Sequence, residues 1–218
     1  MRFKCLVLDH DETVVQSEKS VGYPFFCRHL DTIRPGTKVS LQEYIYDCHQ
    51  MGFGEMCTDK YHFTPQELQE EHDLWMTYLA THIPDPFPGI DQIICRQKEL
   101  DGLVCVVSHS SVENISRDYM THFNMLPDAI YGWDLPKHQR KPNTYPLEAI
   151  MDTYGLSPEE ILVVDDAKLA WQMSHPLGVK IAFAAWGKKE FPILDKEMRR
   201  LCDYTFDSTK ELEKFLFD

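Results

Sequence analysis

The chain has 218 residues, 43% apolar and 26% charged, with 22 basic and 35 acidic side chains and a net charge of −13. Such a chain can bury a sizeable core, as one domain or as a core carrying a smaller insertion. The acidic balance excludes nucleic acid or an anionic membrane as a whole-surface partner, and no apolar run is long enough to span a bilayer.

The first predicted element is a buried strand, Cys5 to Leu8, running abruptly into Asp9-His10-Asp11-Glu12-Thr13. Alternation along an extended chain puts Asp9 and Asp11 on one side, with the Thr13 hydroxyl following if the chain stays extended. Two carboxylates held together need a cation between them or a shared proton. Residues 14 to about 87 read as helical. Ser40-Leu41-Gln42-Glu43 and Thr64-Pro65-Gln66-Glu67 are capping boxes, and Gly52 and Gly54 are expected to end the first of these helices. Leu68, His72, Trp75 and Leu79 recur at helical spacing and read as core. The Pro84–Gly89 cluster then breaks the pattern as a linker or hinge.

After Gly89 strands and helices alternate. A helix over 90–100 precedes a strand over 103–107 that ends in Ser108-His109. A helix over 112–123, a short strand over 130–132, a basic loop over 137–141 and a helix over 146–154 follow. The apolar strand 161–164 ends in Asp165-Asp166, and a helix over 168–177 is closed by Gly178. Strands over 179–184 and 204–207 and a final helix boxed by Ser208 and Glu211 complete the chain. The fold class is therefore α/β, a doubly wound parallel sheet with a helical insertion. Ligands of such sheets sit beyond the carboxyl ends of the strands. Asp9/Asp11, Ser108/His109 and Asp165/Asp166 are thus expected to converge.

Oxygen-only carboxylates in one cleft suit Mg²⁺ rather than zinc. Lys141 can balance an anionic substrate, and Ser108 before a helix suits phosphate oxygens. Together these groups describe a phosphoryl-transfer site. No Gly-x-x-x-x-Gly-Lys loop or Gly-x-Gly-x-x-Gly fingerprint is present, which argues against a P-loop or dinucleotide enzyme. The seven cysteines form no Cys-x-x-Cys pair. Cys27, His29, Cys48, His49, Cys57 and His62 are dense, but their spacings match no familiar zinc pattern.

The order Asp9-x-Asp11-x-Thr13, Ser108, Lys141, Asp165-Asp166 resembles the haloacid dehalogenase-like hydrolase superfamily, along nearly the whole chain. The resemblance implies a Rossmann-like core, residues 1–14 and 87–218, with a helical cap over 15–86. It implies Asp9 as nucleophile, forming an aspartyl-phosphate, and Asp11 as proton carrier. It assigns Ser108, His109 and Lys141 to the phosphoryl group. Mg²⁺ would be held by Asp9, the Asp11 carbonyl and Asp166, with Asp165 beside them as ligand or orienter. An acid at position 11 selects phosphate-ester chemistry over dehalogenation.

The chain departs from the family pattern at Glu12, where capped members usually carry glycine, at His109 where asparagine is frequent, and at Ala170 where many carry a further aspartate. The expected function is a Mg²⁺-dependent phosphatase acting on a small phosphorylated metabolite of phosphoglycolate or sugar-phosphate type. A phosphomutase, or a catalytically slow phospho-ligand binder, is the alternative. Substrate choice is expected in the cap, with Glu18, Tyr23, Arg28 and His29 as candidates. The start Met1-Arg2-Phe3-Lys4 carries no signal-peptide pattern, so a cytoplasmic location is expected; a monomer or homodimer is the expected state.

Overall fold

The computed structural model describes all of residues 1–218. In chain order the elements are β1 (Cys5–Leu8), a π-helical turn (Glu18–Gly22), α1 (Tyr23–Ile33), α2 (Leu41–Met51), the single turn α3 (Phe53–Glu55), a second π-helical turn (Met56–Lys60) and α4 (Pro65–Leu79). Then come α5 (Ile90–Glu99), β2 (Leu103–Val107), α6 (Val112–Phe123), β3 (Ala129–Tyr131), α7 (Tyr145–Tyr154), β4 (Ile161–Asp165), α8 (Lys168–Ser174), β5 (Lys180–Ala184), α9 (Pro192–Leu201), β6 (Tyr204–Phe206) and α10 (Thr209–Phe217). The chain divides into two compact units, residues 1–16 with 86–218, and residues 17–85. Val15 groups with the first unit because it bridges to both Asp11 and Pro86.

The first unit is a six-stranded, all-parallel sheet in the order β3-β2-β1-β4-β5-β6. The doubly wound α/β class read from the alternation is the fold observed. β1 lies between β2 and β4, with Leu6 in register with both Val104 and Leu162. Its four residues are all buried, which explains why the strand reads as a continuous apolar run rather than an alternating one. Alternation sorts the side chains by face. Leu6, Leu8, Val104, Val106, Leu162 and Val164 pack with Ile93 and Ile94 of α5, Ile115 of α6 and Leu212 of α10. Cys5, Val7, Cys105, Val107, Ile161 and Val163 pack with Leu147 of α7 and Met173 of α8. The chain winds outward from β1 to β3, then crosses to β4 and winds the other way. That reversal opens a crevice at the carboxyl ends of β1 and its neighbours.

The second unit is helical throughout. Both capping boxes form: Ser40 with Glu43 starts α2, and Thr64 with Glu67 starts α4. Glu67 also takes a forked pair from Arg34 at 2.6 and 2.9 Å, tying the end of α1 to the start of α4. The core of this unit is aromatic, with fully buried Phe26 touching Tyr44, Phe53, Tyr61 and Phe63. Of the expected α4 stripe only Leu79 is fully buried, and the other buried residue of this helix is Glu71.

Several expectations are corrected. Gly52 alone ends α2, and Gly54 lies inside α3. The helix after β4 ends at Ser174 and tightens into a 3₁₀ turn over His175–Leu177, because Pro176 has no N–H to continue the α ladder. At α10 the Ser208 side chain accepts from the Glu211 N–H, but the Glu211 carboxylate accepts from Asp207 N, so no box closes. The amphipathic helix α9 was not expected; Pro192 opens it, and Leu194 and Met198 bury its one apolar face. None of the seven cysteines forms a disulfide. The cysteines and histidines of the helical unit assemble no ligand set, since the one group of three or more such ligand atoms in the chain is Asp9, Asp165 and Asp166.

Candidate active site

The site is built on the carboxyl ends of β1, β2 and β4. Strand pairing ends at Leu8, and Asp9 N donates to Val164 O, which carries β1 one residue further against β4. The chain then turns instead of staying extended. Val14 N and Val15 N both donate to His10 O, and Glu12 N donates to Val15 O. Glu12 sits at φ +56°, in the left-handed region where a side chain costs roughly 1 kcal/mol relative to glycine. It is a backbone angle that a glycine would adopt without strain. Thr13 accordingly does not continue the line of the aspartates; its hydroxyl is buried without a hydrogen bond.

Three contacts hold the strained turn. Gly187 lies so close to it that a Cβ there would stand 2.2 Å from Glu12 O. Trp186 Nε1 donates to Thr13 O at 3.1 Å. On the other side His10, only 1% exposed, meets Asp118 of α6 at 2.9 Å, and Asp118 is in turn gripped by Arg117. Burial opposes protonation of His10, but the Asp118 hydrogen bond and the charges of Asp11, Asp118 and Asp9 outweigh it and raise its pKa.

Carboxylate oxygens of Asp9, Asp165 and Asp166 lie within 4.8 Å of one another, all buried. Lys141 Nζ stands 2.8 Å from Asp165 Oδ2 and 3.2 Å from Asp9 Oδ1. Its side chain is 3% exposed, and burial works against its charge. The charges of Asp165 and Asp9 more than offset this and hold the ammonium protonated above the usual lysine range. Burial and the charge of Asp9 push the Asp165 carboxyl upward against the pull of Lys141. Asp165 Oδ1 accepts from Ala167 N at 2.8 Å, which fixes the carboxylate at the start of α8. The Asp11 carboxylate stands outside this group and accepts from Ser110 Oγ at 2.6 Å.

Ser108 is 3% exposed, and its Oγ accepts from Ser110 N at 3.2 Å, leaving its own proton to give. His109 Nε2 lies 2.6 Å from Lys141 O. A carbonyl can only accept, so Nε2 carries the proton. Burial and the Lys141 charge lower the His109 pKa, so the ring is neutral and braces the loop that delivers Lys141. Ala170 is buried against the sheet with Met173.

In the helical unit, Tyr23 donates to Val39 O at 2.8 Å and leans on Tyr44. His29 is buried, stacked on Phe25, with burial lowering its pKa. Arg28 is exposed and lies over the Tyr78 ring, and Glu18 is half-buried in the first π-helical turn.

Reading the sequence missed Lys188. Its side chain is 2% exposed and its Nζ lies 2.9 Å from Asp166 Oδ2. Within Trp186-Gly187-Lys188-Lys189-Glu190 no local pattern sets Lys188 apart from Lys189; Gly187, as a place where backbone can approach closely, is the one available signal.

The donor set suits a divalent cation. All of it is oxygen, all of it is buried, and Asp9 Oδ1, though near Lys141, accepts no hydrogen bond. Among known proteins, the chain is 23% identical over 223 residues to a phosphoglycolate phosphatase from Aquifex aeolicus strain VF5, covering 98% of this chain and 96% of that protein. Solved structures share the fold. CbbY from Rhodobacter sphaeroides, crystallised with xylulose-1,5-bisphosphate, superposes with a TM-score of 0.78 at 15% identity, covering 96% of each chain. A haloacid dehalogenase-like protein from Agrobacterium tumefaciens strain C58 gives 0.76 at 15% identity, covering 98% of this chain and 97% of that one. The profile of haloacid dehalogenase-like hydrolases matches residues 6–184, and the chain belongs to that family.

Proposed function

We propose that this protein hydrolyses a small phosphate monoester, of phosphoglycolate or sugar-phosphate type, through an aspartyl-phosphate on Asp9. The observation that carries the reading is the Lys141 ammonium set between the Asp9 and Asp165 carboxylates in a buried, oxygen-only pocket. An Asp9 oxygen attacks phosphorus and the ester oxygen departs, taking a proton from the Asp11 carboxyl. Water then attacks the aspartyl-phosphate while Asp11, now ionised, takes its proton, releasing phosphate and restoring Asp9. Ser110, donating to Asp11 Oδ2, fixes which way that carboxyl points. Ser108 Oγ–H and the Lys141 ammonium hold the phosphoryl oxygens, and His109 keeps the lysine loop in place. Asp9, Asp166, the Asp11 carbonyl and Asp165 would hold Mg²⁺, which supplies charge neutralisation between the attacking carboxylate and the phosphoryl oxygens. The helical insertion, residues 17–85, is read as the substrate-selecting cap, the family's place for Glu18, Tyr23, Arg28 and His29 to act.

The test is inorganic phosphate release from a panel of small phosphate esters, with Mg²⁺ and with chelator. Mg²⁺-dependent release that disappears in Asp9→Asn is expected. Release unchanged in Asp9→Asn would refute the nucleophile assignment.

A further inference from the structure

Lys188 is a lysine in an unusual place. It follows the 3₁₀ turn Ala185–Gly187 after β5, and that turn is held against the Glu12 loop, with Gly187 pressed onto Glu12 O and Trp186 bonded to Thr13 O. The side chain is 2% exposed and its ammonium reaches Asp166 Oδ2 at 2.9 Å, one of the three carboxylates that face one another. A buried ammonium so placed neutralises part of the same charge that a divalent cation would neutralise. With Lys141 it leaves three carboxylates facing two ammonium groups. An incoming divalent cation therefore has to bind close to a positive charge already in place.

We propose that Lys188 is a resident counter-ion of the carboxylate pocket, which holds Asp166 in the metal-free protein and weakens the pocket's affinity for divalent cations. The proposal rests on the reading of Asp9, Asp165 and Asp166 as a cation site. The charge of Lys188, rather than its hydrogen bond, carries the effect, so a neutral donor of similar reach separates the two.

The experiment is Mn²⁺ binding to the intact protein, followed by the electron paramagnetic resonance signal of free Mn²⁺, for wild type, Lys188→Gln, Lys188→Met and Lys188→Arg, with thermal melts of each with and without Mn²⁺. Lys188→Gln and Lys188→Met are expected to bind Mn²⁺ about tenfold tighter or more. Both are expected to melt at lower temperature without metal and to recover much of that loss when saturated with Mn²⁺. Lys188→Arg keeps the wild-type affinity. Equal or weaker Mn²⁺ binding by Lys188→Gln, beside a wild type that binds, would overturn the counter-ion role while leaving the cation site intact. Binding by none of the four would overturn the cation site and the inference with it. Should Lys188→Met fail to fold without metal, Lys188→Gln still decides the sign.

Discussion

Glu71 offers a direct test of the helical unit's energetics. It lies on α4, 5% exposed, and makes no hydrogen bond or ion pair. Burial alone raises its pKa from 4.5 to about 8. In the unfolded chain the same carboxyl ionises near its ordinary value. Between those two pH values the folded state holds a proton that the unfolded state has lost, so stability falls as pH rises. The contribution is fully present below about pH 4.5 and is lost through about pH 8. Across the whole window the linkage amounts to about 5 kcal/mol, and to roughly 1.4 kcal/mol per pH unit inside it. Glu71→Gln keeps the shape and removes the proton. The stability gap between variant and wild type should therefore widen by about 3 kcal/mol between pH 5.5 and 8. The assay is hydrogen exchange of α4 amides alongside urea unfolding at several pH values. Parallel pH profiles for the two proteins would refute a buried, proton-holding Glu71.

Replacing Lys141 by Met leaves Asp9 and Asp165 without their shared cation. The metal-free protein should lose about 3–5 kcal/mol by urea unfolding, and phosphate release should fall at least about a hundredfold. In Gly187→Ala the new Cβ meets backbone rather than a movable side chain. It should cost about 1–3 kcal/mol and slow turnover, because the displaced Glu12 carbonyl belongs to the loop that carries Asp11. Glu12→Gly relieves the φ of +56° but loosens the unfolded chain. Its stability by urea unfolding should stay within about 1 kcal/mol of wild type.

The parts of the fold legible in the sequence are those where one local rule decides. Cys5–Leu8 and Ile161–Asp165 are buried on both faces, so their apolar runs marked the central strands, and the acids after them marked where the site forms. Ser40 and Thr64 announced their helices because a capping box is a complete short-range interaction. The turn at Glu12 was not legible as geometry. The extended alternation that aligned Asp9 with Asp11 stops at Leu8, and what bends the chain is the distant Gly187 and the double acceptor at His10 O. Helix α9 escaped notice because eight of its ten residues are not buried hydrophobics and its face rests on Leu194 and Met198. Lys188 and Asp118 take their meaning from tertiary neighbours 22 and 108 positions away in the chain, Asp166 and His10.

The bridge between Val15 and Pro86 bears on how the chain reaches its fold. Phe87 N donates to Val14 O at 2.9 Å and Gln16 Nε2 to Pro86 O at 3.2 Å, so the helical segment leaves and re-enters the sheet unit at one point. Pairing β1 with β2 joins Leu6 to Val104, which in an unstructured chain closes a loop of about a hundred residues. If residues 17–85 fold first with their ends pinned together, the loop still to be closed shrinks to about thirty. The entropy saved is about 1 kcal/mol. In that order of events the helical unit is a splint that shortens the search of the central strand for its partner. A chain in which residues 17–85 are replaced by a flexible linker of equal length should form the same sheet more slowly.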